Sequence, residues 1–229
     1  LPRHNVNLYY NGTVGKFNID FNADYIWYKN REISLSDELS ETGDDRNVST
    51  ESTGRNRMLA EKLVVSHPLW KGQLKFGEEY TNTRTTNLFT ANIPEVPDAD
   101  NRVDESNIAA FVEFGRQFGR FNIGVGLRYE HVKFDYYKMG EHRDGQSKTY
   151  NNLFPSLNIA TQIGKVRMGL TYSGKTVRPG YGQLDGAVSY INRLTYETGN
   201  PHLKSTKMQT VEYMVQWRQF YAQLSYKIG

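Results

Sequence analysis

The sequence predicts an all-β fold, an antiparallel up-and-down meander of about ten long strands within a single domain of residues 1–229. Three observations predict it. Apolar and polar residues alternate with the two-residue period of a strand over several long runs. Very short turns alternate along the chain with long polar connections. The chain has 16 Tyr, 11 Phe and 3 Trp although only 38% of its residues are hydrophobic, which is typical of a sheet with one wet face.

Residues 16–28 show the alternation most clearly. One face of this run is apolar and consists of Phe17, Ile19, Phe21, Ala23, Tyr25 and Trp27. The other face is polar and consists of Asn18, Asp20, Asn22 and Asp24. The run is longer than the usual strand of about 5–6 residues. It matches the roughly 9–11 residues that a tilted strand needs to cross a bilayer.

Further runs along the chain repeat this pattern. Their apolar faces are Leu74 and Phe76, then Ile108, Ala110, Val112 and Phe114, then Phe121, Ile123, Val125, Leu127 and Tyr129, then Val166, Met168, Leu170 and Tyr172, and finally Phe220, Ala222, Leu224, Tyr226 and Ile228. Three less regular segments, 57–68, 151–162 and 208–217, are also predicted to be strands. A helix remains an alternative only within residues 54–65.

The connections between the strands are short and long in strict alternation. The predicted tight turns lie at residues 12–15, 70–72, 118–120, 164–165 and 218–219. Glycine occurs in four of these five turns, where we expect it to supply the positive φ of a tight hairpin. The long polar segments are 29–56, 88–106, 138–150 and 179–206. Loops beyond about 12–15 residues are uncommon in compact soluble domains.

This rhythm favours a transmembrane outer-membrane β-barrel, in which short turns gather on the periplasmic side and long loops project outward. A closed antiparallel sheet pairs every backbone group inside the lipid. We therefore expect the following residues to face the membrane: Phe17, Ile19, Phe21, Tyr25, Trp27, Phe121, Ile123, Val125 and Leu127. A soluble β-sheet module remains an alternative, but its strands are shorter and its loops show no preference for one side.

Several kinds of chemistry find no support in the sequence. The chain has no cysteine, which excludes a disulfide framework and a thiolate metal site. Its net charge of +3 is spread along the chain and forms no nucleic-acid-binding stripe. The five histidines share no metal-ligand spacing. No catalytic motif is visible, so we predict no catalytic residue, cofactor or metal. Acidic residues in the first two long loops are read as solvated, with calcium binding as the alternative.

Three stretches after residue 153 resemble the TonB-dependent receptor barrels of Bacteroidetes. They are Phe154-Pro155-Ser156-Leu157-Asn158, then Arg178-Pro179 followed by Tyr181 and Leu184, and then Gly199-Asn200-Pro201-His202-Leu203-Lys204. The chain departs from the family at Ser205-Thr206, where Pro-Glu is usual. The resemblance implies a barrel of about 22 strands around an N-terminal plug. This chain, which lacks the plug, would be a fragment of such a barrel.

The backbone preferences of proline and glycine predict where these stretches lie in the fold. Pro155 and Pro179 cannot donate to a strand ladder, so we expect them at strand ends or in loops. Gly199, Asn200 and Pro201 are predicted to form a turn, in which the proline favours extended geometry at Asn200. These residues either only shape the loops, or Arg178 and Tyr181 face the lumen or a ligand at the rim of the barrel.

The sequence thus favours a non-enzymatic role in the outer membrane. The resemblance implies import of a nutrient into the periplasm, driven by the TonB complex acting through a plug. A passive porin-like barrel and a soluble β-sheet binding or adhesion module are the alternatives. The expected partners are outer-membrane lipid, the TonB complex, a nutrient that the sequence does not identify and, through exposed sheet edges, other copies of the chain.

Overall fold

The computed structural model describes residues 2–39, 43–184, 186, 188–192, 194–200 and 202–229. In this part of the chain, thirteen strands and one short helix occur in the following order: β1 Arg3–Val14, β2 Phe17–Glu38, β3 Arg46–Leu69, β4 Gly72–Ala91, β5 Ala99–Phe118, β6 Phe121–Lys138, β7 Glu141–His142, β8 Lys148–Ile163, β9 Val166–Val177, α1 Tyr181–Leu184, β10 Val188–Asn192, β11 Thr195–Thr198, β12 Thr206–Trp217 and β13 Phe220–Ile228. No described helix has the length and apolar character needed to span a bilayer.

Ten of the strands form one antiparallel meander, in the order β1-β2-β3-β4-β5-β6-β8-β9-β12-β13. The predicted architecture of about ten long strands is therefore confirmed. β7 pairs only with the end of β6, and β10 and β11 form a separate hairpin. β1 and β13 are the outermost strands and do not pair with each other in the described residues, so the sheet is open.

The strands are longer, and the first two long connections shorter, than the sequence predicted. β2 and β3 stay paired from Asn18 opposite Ser66 to Glu38 opposite Arg46, so most of the predicted loop 29–56 is sheet. The helical alternative for residues 54–65 is wrong, because this segment lies within β3. Polar residues occupy both faces here, which hides the alternation, and cross-strand pairs such as Arg31–Glu51 at 2.6 Å stabilise the ladder instead.

All five tight turns are two-residue hairpins at the same end of the sheet. The first is Gly15-Lys16 and not residues 12–15 as predicted, because residues 12–14 belong to β1 and pair with β2. Gly15, Gly119 and Gly164 have φ of 61°, 59° and 59°. The expectation that Gly72 supplies a positive φ is wrong, because Trp70 and Lys71 take it, with φ of 49° and 57°. Gly72 is instead the first residue of β4. A Cβ there would lie only 2.5 Å from the carbonyl oxygen of Gly115, which accounts for the glycine.

Pro155 corrects another expectation, because it lies inside β8 and not at a strand end or in a loop. It is opposite Leu127 of β6. On the other side of β8, the described ladder with β9 reaches only as far as Leu157 opposite Tyr172. A strand residue that has no ladder on one side needs no N–H donor there, so β8 tolerates the proline.

The register gives the meander two distinct faces, because directly paired residues share a face. We call the face that carries α1 the inner face and the opposite one the outer face. The nine residues predicted to face the membrane all lie on the outer face. Its pairs include Phe21 with Leu63, Val125 with Phe114 and with Leu157, and Leu170 with Tyr213. Val125 is 49% exposed and Phe121 45%, so no second layer covers this part of the face. Contact of these residues with lipid stays a prediction.

Most of the buried apolar residues lie on the inner side of the sheet at the end away from the tight turns, while Ala109 and Phe154 are buried nearer its middle. Two clusters form at the end away from the turns. The first contains Val48, Phe89, Ile93, Val96 and Ala99, and the second contains Val103, Phe134, Tyr136 and Leu184. Both clusters of described residues therefore form where the long connections reach the inner face of the sheet.

Candidate functional site

The long connection between β9 and β12 folds against the inner face, and we call residues 178–205 the inner loop. Leu184 of α1 is 6% exposed and packs with Val103, Phe134 and Tyr136, while Tyr181 packs against the same cluster. A hydrogen bond joins α1 to the later part of the loop, because the backbone N–H of Asn200 donates to the carbonyl of Gln183 at 2.6 Å. The described residues of α1 and of the turn near Asn200 thus pack together on the wall.

Arg178 ties the start of the inner loop to two strands of the wall. Its Nη1 lies 3.0 Å from Oε1 of Glu105 on β5, and its Nη2 lies 3.8 Å from Oε2 of Glu130 on β6. The two carboxylates are 14% and 11% exposed. Charge-assisted hydrogen bonds between such poorly hydrated groups are stronger than neutral ones. Arg178 therefore lies on the inner face, where its described contacts are with the wall.

The ion pairs continue from this point along the inner face. Arg128 donates to Glu130 at 2.9 Å and to Glu79 at 2.6 Å. Nζ of Lys62 lies 2.7 Å from Glu79. Positive and negative side chains thus alternate from β3 to the inner loop. This row makes the inner face polar along its length, as expected of a wall that borders water.

A second set of contacts holds the hairpin β10–β11 at the end of the sheet away from the tight turns. Arg46 donates to Glu38 at 2.9 Å and to the hydroxyl of Tyr190 at 2.6 Å, and this hydroxyl donates in turn to Glu38. The hydrogen bond to Glu38 raises the pKa of Arg46 above its usual range. The inner loop is therefore held at its start by Arg178 and near its middle by Tyr190.

Between the inner loop and the wall lies a cavity of about 250 Å³. Three tyrosines and four asparagines dominate its lining: Tyr28, Tyr136, Tyr181, Asn30, Asn56, Asn87 and Asn101. Neighbouring hydroxyls and amides orient one another, since Asn56 donates to Thr85 at 2.8 Å and Ser52 donates to Asn87 at 2.9 Å. Among the described residues that line the cavity, Arg55 is the one charged residue, and the register assigns it to the outer face.

Burial shifts the pKa of Tyr181, which lines this cavity, and of Glu105, whose charge acts on Tyr181. Burial raises the pKa of Tyr181 to about 12, and the nearby charge of Glu105 acts in the same direction. Burial also raises the pKa of Glu105, although Arg178 opposes the shift. Tyr181 is therefore neutral at physiological pH, as an ordinary tyrosine is, and its side chain already forms a hydrogen bond with Thr83.

The turn predicted at residues 199–201 lies at the end of the inner loop. The amide oxygen of Asn200 accepts from the N–H of His202 at 2.9 Å, and the Asn200 carbonyl accepts from the N–H of Leu203 at 3.1 Å. Gly199 directly precedes this turn, and Pro179 lies in the loop between β9 and α1. Pro201 is outside the described residues.

The loop after β6 contains a Ser–His–Asp contact that the sequence did not suggest. Oγ of Ser147 lies 2.9 Å from Nε2 of His142, whose Nδ1 lies 2.9 Å from Asp144. The serine hydroxyl also donates to the carbonyl of Arg143 at 2.9 Å and accepts from the N–H of Tyr136 at 3.0 Å. Asp144 is 96% exposed. These contacts stabilise the loop. Among the described residues there is also no group of three or more His, Asp or Glu that could hold a metal ion.

Sequence reasoning missed most of the residues that build this site. Glu105, Arg46 and Tyr190 act through contacts that are far apart in the sequence. One local signal was present on β6, where the apolar residues change from odd positions to even positions at Val132 and Phe134. Such a change within one strand indicates that the other face becomes buried.

Comparison with known proteins agrees with this architecture. Residues 14–228 match the model of the outer membrane protein beta-barrel family. No curated protein sequence matches the chain. Among solved structures, the chain is similar to the copper transporter OprC, with a TM-score of 0.72 and 12% identity over 98% of this chain and 38% of that one. It is similar to the ferric citrate transporter FecA, with a TM-score of 0.66 and 14% identity over 97% of this chain and 33% of that one.

A third similar structure is the ferric-catecholate import receptor Fiu of E. coli K12, with a TM-score of 0.61 and 11% identity over 98% of this chain. The chain spans between 33% and 40% of the length of these three proteins. Likeness at such low identity establishes the fold alone. It does not extend to the ligands named for these proteins.

Proposed function

This chain belongs to the outer membrane protein beta-barrel family, and on that premise we propose that it forms part of the barrel wall of a TonB-dependent transporter that imports a nutrient. The family places the chain in the outer membrane. In the proposed protein, all 229 residues act as one barrel segment, and a plug and further strands complete the transporter. The unpaired edges of β1 and β13 would join those strands. An origin in Bacteroidetes stays a prediction.

The observation that supports import most directly is the cavity beneath the inner loop. It lies on the inner face, which is the lumen in this proposal, at the end of the sheet away from the tight turns. If these turns face the periplasm, this end faces the outside of the cell. A ligand that enters from outside would meet Tyr181 and the asparagines of the cavity first.

The lining also favours one class of ligand. Amides, hydroxyls and tyrosine rings bind uncharged molecules that carry several hydroxyl or carbonyl groups, because such ligands exchange hydrogen bonds with water for equivalent ones with the site. The named ligands of OprC, FecA and Fiu are copper, ferric citrate and ferric catecholates. We propose that this chain contributes to the capture of an uncharged polar nutrient such as an oligosaccharide.

Uptake by cells tests both parts of the proposal. Cells would express the protein from its complete gene, with or without the TonB complex, and receive radiolabelled neutral oligosaccharides or ferric citrate. We expect uptake of a neutral oligosaccharide that requires the TonB complex. Uptake of equal rate without the complex would contradict energised import and favour the passive porin. Energised uptake of ferric citrate alone would contradict the ligand class.

A pair of matched variants connects uptake to the cavity. Asn56 and Asn158 are both bound to a threonine of the neighbouring strand, at 2.8 Å and 3.3 Å, but only Asn56 lines the cavity. We expect Asn56→Leu to raise the KM for uptake about tenfold, the factor that corresponds to one or two lost hydrogen bonds. Asn158→Leu should leave the KM unchanged. Equal effects of the two substitutions would contradict the assignment of the cavity.

A further inference from the structure

On the outer face, basic residues follow the aromatic residues in the direction away from the tight turns. On β2, Tyr25 and Trp27 are followed by Lys29 and Arg31 as the strand runs away from the tight turn, and other strands of this face repeat the change. Seven basic residues on the outer face of β2–β6 form what we call the basic belt: Lys29, Arg31, Arg55, Arg57, Arg84, Arg102 and Lys133.

Acidic neighbours neutralise only part of the basic belt. Glu51 binds Arg31 at 2.6 Å, Asp104 binds Arg84 at 2.6 Å, and Asp135 binds Lys133 at 2.7 Å. Lys29, Arg55 and Arg57 form no ion pair with the residues that the structure describes, and all three are exposed. A positive patch without direct ion pairs therefore lies on β2 and β3, with Glu51 as an acidic residue whose charge interacts with Lys29.

The register places like charges directly opposite each other in this patch. Lys29 is the partner of Arg55 across β2 and β3, and Arg57 is the partner of Arg84 across β3 and β4. Directly opposed like charges destabilise a strand pair. A bound anion between such residues removes the repulsion, and the guanidinium group is suited to phosphate because its fork can donate two parallel hydrogen bonds.

We propose that the basic belt binds the phosphate groups of anionic lipids in the outer leaflet of the membrane. The belt directly adjoins Trp27, which is opposite Arg57, and the apolar part of the outer face. Aromatic residues mark the boundary of the hydrocarbon in such barrels. A lipid whose chains pack on the apolar residues therefore holds its phosphate at the level of the belt. The assignment to the outer leaflet depends on tight turns that face the periplasm.

Lipid binding to the purified protein, expressed from its complete gene, tests this proposal. The probe is diphosphorylated lipid A, and native mass spectrometry in a neutral detergent gives its affinity. We expect the double substitution R55Q and R57Q to weaken binding about 30-fold, from the loss of two cations near the lipid surface. The double substitution K71Q and R120Q removes the same charge from the tight turns and should change the affinity less than twofold.

Further measurements distinguish the proposal from a nonspecific effect. R55K together with R57K should retain most of the affinity, and the heat-modifiable migration of each variant on a gel reports whether it is folded. Equal binding of dephosphorylated lipid A, or of wild type and the R55Q and R57Q variant, would overturn the proposal. So would displacement of lipid A by an equal concentration of inorganic phosphate. The single substitution R57Q, at a residue that does not line the cavity, separates this proposal from the proposed transport: weaker binding of lipid A with unchanged nutrient uptake supports the lipid site on its own.

Discussion

The two halves of β3–β6 use opposite faces for their apolar residues. Near the tight turns, the apolar residues of β6 lie on the outer face, and Val125 is 49% exposed. Farther along the same strand they lie on the inner face, where Val132 is 2% and Tyr136 1% exposed. The register of β6 with β5 continues through both halves without a bulge. The surroundings of each half, and not the backbone, therefore decide which face is apolar.

Different solvents explain the two patterns. In an outer-membrane barrel, hydrocarbon surrounds the outer face near the turns, while water fills the inside. Beyond the membrane, water contacts the outer face, and the inner loop covers the inner face. If the outer face near the tight turns contacts hydrocarbon, the change of face between Tyr129 and Val132 gives the expected position of the membrane edge on β6.

Arginine substitutions on the outer face of each half test most directly whether hydrocarbon surrounds one half and water the other. Val125→Arg should lower the free energy of unfolding in phospholipid bilayers by about 2–4 kcal/mol, because it places an arginine in hydrocarbon. Thr90 is exposed on the outer face of the half away from the tight turns. Thr90→Arg should therefore change the free energy of unfolding by less than about 0.5 kcal/mol. Denaturant titration measures both values. A similar cost at both positions would contradict the proposed membrane edge.

Substitution of Arg178 tests whether its ion pairs hold the inner loop on the half of the sheet away from the tight turns. Arg178→Ala leaves Glu105 poorly hydrated and without its cation, which we expect to cost about 1–3 kcal/mol of loop docking. Hydrogen exchange of residues 181–184 measures the docking. Glu105→Gln in the same chain should restore part of the loss. Arg167→Ala, near the tight turns, removes an exposed arginine bound only to Gln162 and serves as the control.

Glycine substitutions test whether the tight turns at one end of the sheet need a positive φ that the long loops at the other end do not. A Cβ at Gly119 or at Gly145 would meet no described heavy atom within 4 Å. Only Gly119 has a positive φ, of 59°. Gly119→Ala should therefore destabilise the protein by about 1 kcal/mol, while Gly145→Ala should be nearly neutral. A denaturant titration that finds equal losses would show that φ is not the reason for glycine in the turn.

The smallest expected effect is a pH dependence from Glu105. Burial raises the pKa of this carboxyl in the folded protein, so the folded state binds more protons than the unfolded state above pH 4.5, the ordinary value. The contribution of Glu105 to the free energy of unfolding should therefore fall as pH rises from about 4.5 through the raised pKa. Comparison of wild type with Glu105→Gln isolates this contribution. A difference between them that grows in favour of wild type over this range would contradict it.

The sequence by itself determined the meander, the positions of its five hairpins and the outer face near the tight turns. These features are local, because a period of two and a short turn both act over neighbouring residues. Phe17 to Trp27 and Phe121 to Leu127 could be assigned to one face for this reason. The motif around Arg178 also indicated a loop of special interest before its contacts were known.

Only the tertiary structure decided how far the strands extend and what the inner loop contacts. Residues 29–38 and 46–56 are mostly polar on both faces, and Ile33, Leu35 and Val48 are too few to reveal a period of two. The contacts of Arg178 with Glu105 and of Arg46 with Tyr190 join residues that are distant in the chain. Their formation depends on the curvature of the sheet and the path of the loop, which arise from the packing of many residues and from no single segment.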